Sequence, residues 1–371
     1  MKLGGEKVEK RSHGGNVYEV SKKFKLDLRE ILDFSANINP LGFPNSVRQI
    51  IWEKIDEIVH YPDPGQVELR EAAAIYYGVE PENILPGNGS VELINLTLEA
   101  LRPSKVIIPS PTFTEYAFAS RNRRIETELV DMTKNDFCWD YDFIESIKDR
   151  ICPGALVIVC NPNNPTGYLV VKDVIKPLIE ETERAKAFLL LDEAFMDFVG
   201  ESQSLCAEVV SRSNVIVLRS LTKFFALPGL RIGFAIGNEE LIKKIEKLKD
   251  PWNVNTFAGA VGSEVLKDKA YIEKTREYIS REREFLWDGL RQFSCFTPFR
   301  SSANFILVKI TAEFGAGFLA RELLRRGIAI RECGDFAFLD DSYFRVAVKD
   351  RRANEILLEA LRQATKEIGL E

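Results

Sequence analysis

The chain predicts an α/β fold: a mainly parallel sheet flanked by helices, followed by a smaller α+β domain. Three observations predict it. SKVIIP (104–109), ALVIVC (155–160), AFLLLD (187–192), NVIVLR (214–219) and RIGFAI (231–236) are short and apolar through their centres, the pattern of strands covered on both faces. Stretches of helical or turn composition separate them, as crossovers between parallel strands require. At 371 residues the chain is long enough for about two domains, on a prior of ~150 residues each.

The first 45 residues are short of core and are expected to pack on one of these domains. The charged stretch from Phe257 to Phe293 carries Val265, Tyr271, Ile272, Tyr278, Ile279, Phe285 and Leu286 at helical spacing, and is expected to contain helix leading into the second domain. That domain reads as a strand at NFILVKI (304–310), a helix near GAGFLARELLRRG, strands near IAIRE and YFRVAV (343–348), and a C-terminal helix.

Composition excludes several classes. Lys plus Arg is 50 against 56 Asp plus Glu, a net charge of −6 that offers no general attraction for nucleic acid or acidic lipid. No apolar run approaches the ~18 residues needed to cross a bilayer, so no membrane partner is expected. His13 and His60 are the only histidines, too few for a three-histidine zinc. Six cysteines without a C-x-x-C pair read as reduced thiols, and no metal site is expected. The N-terminal MKLGGEKVEKRSHGGN lacks the apolar core of a secretory signal, so a cytoplasmic protein is expected.

A mainly parallel sheet binds ligands beyond the carboxyl ends of its strands, so polar residues just past these strands are the candidates. In NVIVLRSLTKFFALPGLRIGFAIG a strand runs out into Ser220, Thr222 and Lys223, followed by a Pro-Gly turn and Arg231. A lysine in that position can form a Schiff base where its surroundings favour the neutral amine, or it can be an ordinary surface lysine. Ser220, Thr222 and Arg231 can together hold one phosphate dianion. Asp192, in AFLLLDEAFMDF, follows an apolar strand directly, where a carboxylate is costly without a cation or hydrogen bonds. A protonated pyridine nitrogen would be such a partner. A metal ligand or a helix cap are the alternatives, and the first is weakened because no G-x-x-x-x-G-K-[ST] occurs.

ALVIVCNPNNPTG ends in a turn where Asn164 can donate to a ring hydroxyl or a carboxylate, or serve only the turn. In ILPGNGSVELI, Gly87 and Gly89 bracket Asn88 and Ser90 opens a helix, a ready anion site. GAGFLA at 315–320 fits a dinucleotide pattern but falls in the small domain, and HGGN at 13–16 lacks an accompanying G-x-S-x-G elbow, so neither a nicotinamide site nor a hydrolase is favoured. Arg331 and Arg345 lie in strand-like segments and can clamp carboxylate or phosphate, or form surface ion pairs.

Together PNNPTG, LDEAF, SLTK, PGLRIG and FRVAV, in this order and spacing, resemble the aspartate-aminotransferase-like (fold type I) family of pyridoxal-phosphate enzymes over nearly the whole chain. The resemblance implies a large cofactor-binding domain at 46–284, a small C-terminal domain at 285–371, and a segment, 1–45, packing near the active site. It implies that Lys223 binds pyridoxal 5'-phosphate covalently, that Asp192 pairs with the ring nitrogen, that Asn164 binds the ring hydroxyl and that Phe113, in PTFTEY, stacks on the ring. Ser90, Ser220 and Arg231 would hold the cofactor phosphate, with Gly89, Val91 and Thr222 also binding the cofactor. Tyr61, in HYPDPG, would reach the phosphate of a neighbouring subunit, which implies a homodimer with shared active sites.

Within that family, HGGNVYE followed by LDFSANINPLG is similar to the threonine-phosphate decarboxylases of cobalamin biosynthesis, near relatives of the histidinol-phosphate aminotransferases. This implies decarboxylation of L-threonine O-3-phosphate to (R)-1-amino-2-propanol O-2-phosphate. Arg345 would grip the α-carboxylate, with His13, Gly14, Asn37, Asn164 and Arg331 completing substrate recognition. Phe195 stands where many members have tyrosine, and the lost hydroxyl disfavours transamination. Histidinol-phosphate-type transamination, decarboxylation of L-serine O-phosphate and a regulatory domain without turnover are the other readings.

Overall fold

The computed structural model describes residues 14–24 and 27–367. In chain order its strands are β1 (Leu32–Asp33), β2 (Ile84–Gly87), β3 (Lys105–Ser110), β4 (Glu126–Asp131), β5 (Leu156–Cys160), β6 (Phe188–Asp192), β7 (Val215–Ser220), β8 (Gly233–Gly237), β9 (Phe296–Pro298), β10 (Phe305–Ile310), β11 (Ile328–Ala329), β12 (Arg331–Glu332) and β13 (Tyr343–Ala347). The main sheet has seven strands in the order β2-β8-β7-β6-β5-β3-β4. β3, β4, β5, β6 and β7 pair in parallel, while β8 runs antiparallel to both β7 and β2. The link from β7 to β8 holds only the single-turn helix Leu221–Phe224, not a helix long enough to cover a sheet face as a crossover does, and the chain folds straight back.

The strands are apolar throughout because both sheet faces are covered. Val106, Ile108, Leu156, Ile158, Ile216 and Leu218 point into one core. Ile107, Val157, Val159, Val215 and Val217 point into the other. Each such side chain contributes about 1.5–3 kcal/mol on burial, which fixes the register that brings the strand ends together. β4, ETELVD, is the exception: it is an edge strand with Glu126 exposed and Glu128 and Asp131 half-buried, and its composition does not form an apolar run.

The charged stretch 257–293 resolves into two helices, Thr256–Val265 and Lys269–Leu290, the second capped by Asp268, whose side chain accepts from the Tyr271 N–H. The division expected at 284/285 falls inside that second helix. Beyond it, β12-β13-β10-β9 form an antiparallel sheet. The expected IAIRE strand is split: β11 pairs instead with β1, in parallel, and β12 joins β13.

The N-terminal segment stitches the two sheets together. β1 lies on β11, and Phe34 O accepts from the Ala347 N–H at 2.8 Å. Five residues later Asn39 N–H donates to Lys223 O at 3.1 Å, and Asn39 Nδ2 donates to Phe224 O at 2.7 Å. Residues 34–39 therefore run from the small sheet to the turn that bears Lys223. Among the described residues no helix is long and apolar enough to cross a membrane, and no group of His, Cys, Asp and Glu side chains could hold a metal ion.

Candidate active site

Parallel strands end on one edge, and β5, β6 and β7 deliver Cys160, Asp192 and Ser220 to it; Cys160 and Asp192 are Cα partners. Because β8 returns antiparallel, Gly233 sits opposite Ser220 and Arg231 arrives at the same edge. β2 brings Gly87 opposite Gly233, and the helix Ser90–Leu101 starts there. A Cβ on Gly233 would lie 2.9 Å from Ser90 N, so only glycine lets the two segments approach. Gly89 precedes the helix at φ +80°, and a Cβ on it would run into the Arg231 guanidinium. Arg231 itself adopts φ +58°. Ser90, Val91, Ser220, Thr222 and Arg231 are thus gathered about one helix N-terminus, where backbone N–H groups and the helix dipole favour a phosphate.

Asp192 is 2% exposed. Its Oδ2 accepts from Tyr116 Oη at 2.6 Å and its Oδ1 from the Ala194 N–H at 3.0 Å. Burial pushes this carboxyl above its ordinary value, opposed by the two hydrogen bonds and by the charge of Lys223. Lys223 is partly buried; desolvation, then the charge of Arg231, pull its ammonium down to about 8, with Arg345 adding to the effect and Asp192 opposing it. A lysine so displaced has a usable fraction of neutral amine near pH 7. Phe113 is partly buried and edge-on to Tyr116, with ring centroids 5.5 Å apart.

The other wall comes from the small sheet. Arg331 and Arg345 are Cα partners across β12 and β13, 6% and 5% exposed. Arg345 Nη2 donates to Ser35 O at 2.8 Å and Nη1 donates to Asn164 Oδ1. Its Nε is buried without a hydrogen-bond partner, and burial lowers the guanidinium to about 10. Arg331 Nη2 pairs with Asp335 at 2.7 Å. Gly15 N–H donates to Ser35 Oγ at 2.8 Å, and a Cβ on Gly14 would run into Ser35 O, so the glycine pair packs on the residue that Arg345 holds. Asn37 is buried nearby in sequence, its backbone O taken by Asn304 and its Oδ1 without a partner. Phe195 is buried edge-to-face on Phe305 at 5.0 Å.

Two expected residues stand apart. Tyr61 is 78% exposed and stacks on Trp252 at 4.4 Å, outside this cluster in the single chain. His13 lies outside the described residues.

Two residues escaped the sequence reading. Tyr116 belongs to the quoted PTFTEY, where only Phe113 received a role; its position three residues after Phe113 was the available signal. Arg219, the one charged residue inside NVIVLR, is fully buried and bonds Asp197 at 2.6 Å, Glu201 at 2.7 Å and Ser204 at 3.0 Å. It also pairs with Glu193 at 3.3 Å, next to Asp192.

The sequence model for aminotransferase class I and II matches residues 29–361. The chain belongs to that family. It is 40% identical over 362 residues to a provisionally named threonine-phosphate decarboxylase of Caldanaerobacter subterraneus subsp. tengcongensis, covering 96% of this chain and 95% of that protein. It is 33% identical to the threonine-phosphate decarboxylase of Salmonella typhimurium, covering 95% and 96%. The histidinol-phosphate aminotransferase of Clostridium acetobutylicum superposes with a TM-score of 0.84 at 34% identity, over 90% of this chain and 99% of that one. The chain is a pyridoxal-phosphate-dependent enzyme. The edge described above fits that cofactor: a glycine cradle beside a guanidinium, a lysine with a lowered pKa, and a buried carboxylate bonded only to neutral donors among the described residues.

Proposed function

We propose that the chain decarboxylates L-threonine O-3-phosphate, giving (R)-1-amino-2-propanol O-2-phosphate for cobalamin biosynthesis. The observation that carries this reading is the pair of buried arginines, Arg331 and Arg345, set directly opposite each other. Two guanidinium forks side by side suit a substrate with both a carboxylate and a phosphate, with Arg331 also paired to Asp335 and Arg345 bonded to Ser35 O and Asn164 Oδ1. The names of the two decarboxylase relatives support it.

In this reading Ser90, Ser220, Thr222 and Arg231 would hold the cofactor phosphate, Asn164 its ring hydroxyl, and Lys223 its aldehyde carbon. Asp192 would pair with the ring nitrogen and Phe113 would stack on the ring. Pyridoxal 5'-phosphate supplies an electron sink for cleavage of a bond at the substrate's Cα. Arg345 grips the carboxylate while Arg331, Gly14 and Asn37 take the phosphate end. Two anchored ends fix rotation about Cα, and that rotation selects which bond breaks. Phe195 packs edge-to-face on Phe305, whose ring lies 5.2 Å from the Arg345 guanidinium. Lys223 Nζ would be the group placed to return a proton to the substrate's Cα.

A homodimer completes the reading. Trp52, Val59 and Tyr61 are 80%, 77% and 78% exposed within residues 52–61, an apolar surface suited to a second copy. The deciding experiment is mass analysis of the product from L-threonine O-3-phosphate. Aminopropanol phosphate and carbon dioxide are expected, and a 2-oxo acid formed only with 2-oxoglutarate overturns the proposal. Histidinol-phosphate transamination is the second reading, favoured by the 34% identity to a solved aminotransferase. L-Serine O-phosphate, one methyl smaller, is the control substrate, because a methyl is worth only ~1–3 kcal/mol of discrimination.

A further inference from the structure

Tyr116 lies on the helix Glu115–Asn122 and is fully buried. Its ring meets Phe113 edge-on at 5.5 Å, and its Oη donates to Asp192 Oδ2 at 2.6 Å. One side chain therefore abuts both the aromatic ring assigned to stack on the cofactor and the acid assigned to its nitrogen. The residue is itself anchored, since Ser120 Oγ donates to Tyr116 O at 2.8 Å. The other Asp192 oxygen is bonded by the Ala194 N–H, so the two bonds together set the orientation of the carboxylate plane.

Burial opposes ionisation of this acid, and the Tyr116 bond is the first of the influences acting the other way. The phenol stays protonated, held well above its ordinary value by burial and by the charge of Asp192. Other titratable groups facing Asp192 are Cys160, from the end of β5, and Lys223, beyond β7. Cys160 is a neutral thiol, pushed up to about 12 by burial and by Asp192. Lys223 is the cation among them, and it is the residue assigned to bind the cofactor, so its charge is not a dependable counter-ion. Tyr116 is the remaining side-chain donor.

We propose that Tyr116 is a positioning residue: by donating to Asp192 Oδ2 it keeps that carboxylate ionised and turned toward the nitrogen of the bound cofactor. The proposal rests on the assignment of Asp192 made above. Tyr116→Phe keeps the ring and its packing and deletes only the donor. Equilibrium dialysis of pyridoxal 5'-phosphate against the wild-type enzyme, Tyr116→Phe, Asp192→Asn and the double variant reads the effect.

The dissociation constant is expected to rise on the order of tenfold in Tyr116→Phe, the worth of a hydrogen bond to a charged group. The pH at which affinity falls on acidification is expected to move upward, because a carboxylate without its donor protonates at higher pH. In Asp192→Asn the second substitution should add little, since the charge it serves is gone. Melting temperatures of the four apoenzymes check folding; a role in packing alone would lower them and leave the pH midpoint in place. An unchanged dissociation constant and midpoint in Tyr116→Phe, with Asp192→Asn weakened, overturns the proposal and leaves Asp192 in its role. An Asp192→Asn enzyme that binds the cofactor as tightly as wild type overturns the Asp192 assignment, and this proposal with it.

Discussion

The cofactor side and the substrate side of the cleft are assembled differently. Asp192, Ser220, Lys223, Arg231 and Ser90 all lie at or just beyond the ends of strands in one sheet, placed there by parallel pairing and by the antiparallel return of β8. The substrate side draws on Gly14, Ser35, Arg331 and Arg345, which come together only when the small sheet docks, and Arg345 meets the cofactor side through Asn164. One side is rigid by topology. The other depends on packing between two sheets, with Arg331 paired to Asp335 and the buried Arg345 Nε without a hydrogen-bond partner. Substitutions should therefore separate the two sides cleanly.

The largest effect is expected at Lys223, where the sides meet. Lys223→Ala should lower turnover by about 10³-fold or more, since it removes both the covalent anchor and a positioned proton donor. Borohydride reduction of the wild-type holoenzyme followed by peptide mapping should place the label on Lys223, and full turnover in the alanine variant would sink the assignment. Next is Arg345→Lys, which cannot reach Ser35 O and Asn164 with a planar fork. A loss of about 100-fold in kcat/KM for phosphothreonine is expected, near 2.7 kcal/mol, with cofactor affinity unchanged. A parallel loss of cofactor would show that the two sides are not separable.

Gly89→Ala should do the reverse. Its Cβ meets the Arg231 guanidinium at a backbone of φ +80°. Strain of about 1–2 kcal/mol corresponds to roughly tenfold weaker cofactor binding, measured by dialysis, with KM for the substrate held at saturating cofactor.

The same contrast explains what could be read from the sequence. Asp192 and Lys223 were legible because each follows an apolar run, and a polar residue at a strand end announces an edge. Arg331 and Arg345 were legible as residue types, but nothing in their spacing shows that they are cross-strand partners, because β12 holds two residues and β11 leaves for β1. Asn39, two residues after Asn37, carries no signal of its own in the sequence, yet its amide donates to Phe224 O and the Tyr271 hydroxyl, which lock the N-terminal segment to the Lys223 turn. Arg219 looked like the last residue of a strand. Its cluster of carboxylates comes from residues 193–201, and a pairing between neighbouring strand ends leaves no trace in local pattern.

The smallest effect tests whether the two sides communicate through charge. Arg231 belongs to the cofactor side and Arg345 to the substrate side, and both depress the Lys223 ammonium, Arg231 more than Arg345. Folded Lys223 is lowered to about 8, so its neutral fraction rises as pH rises through that value and then saturates. Between pH 7 and 8 that fraction grows roughly fivefold, whereas a lysine at its ordinary ~10.4 gains about tenfold per unit with no plateau until far higher pH. The initial rate at which apoenzyme reacts with pyridoxal, trapped by borohydride, should follow the first curve; pyridoxal lacks the phosphate, so its capture does not depend on the cradle. Arg345→Gln should move the midpoint upward, and Arg231→Gln should move it further. If Arg345→Gln leaves the midpoint in place, the substrate-side arginine is electrically silent at Lys223, and the two sides are joined by geometry alone.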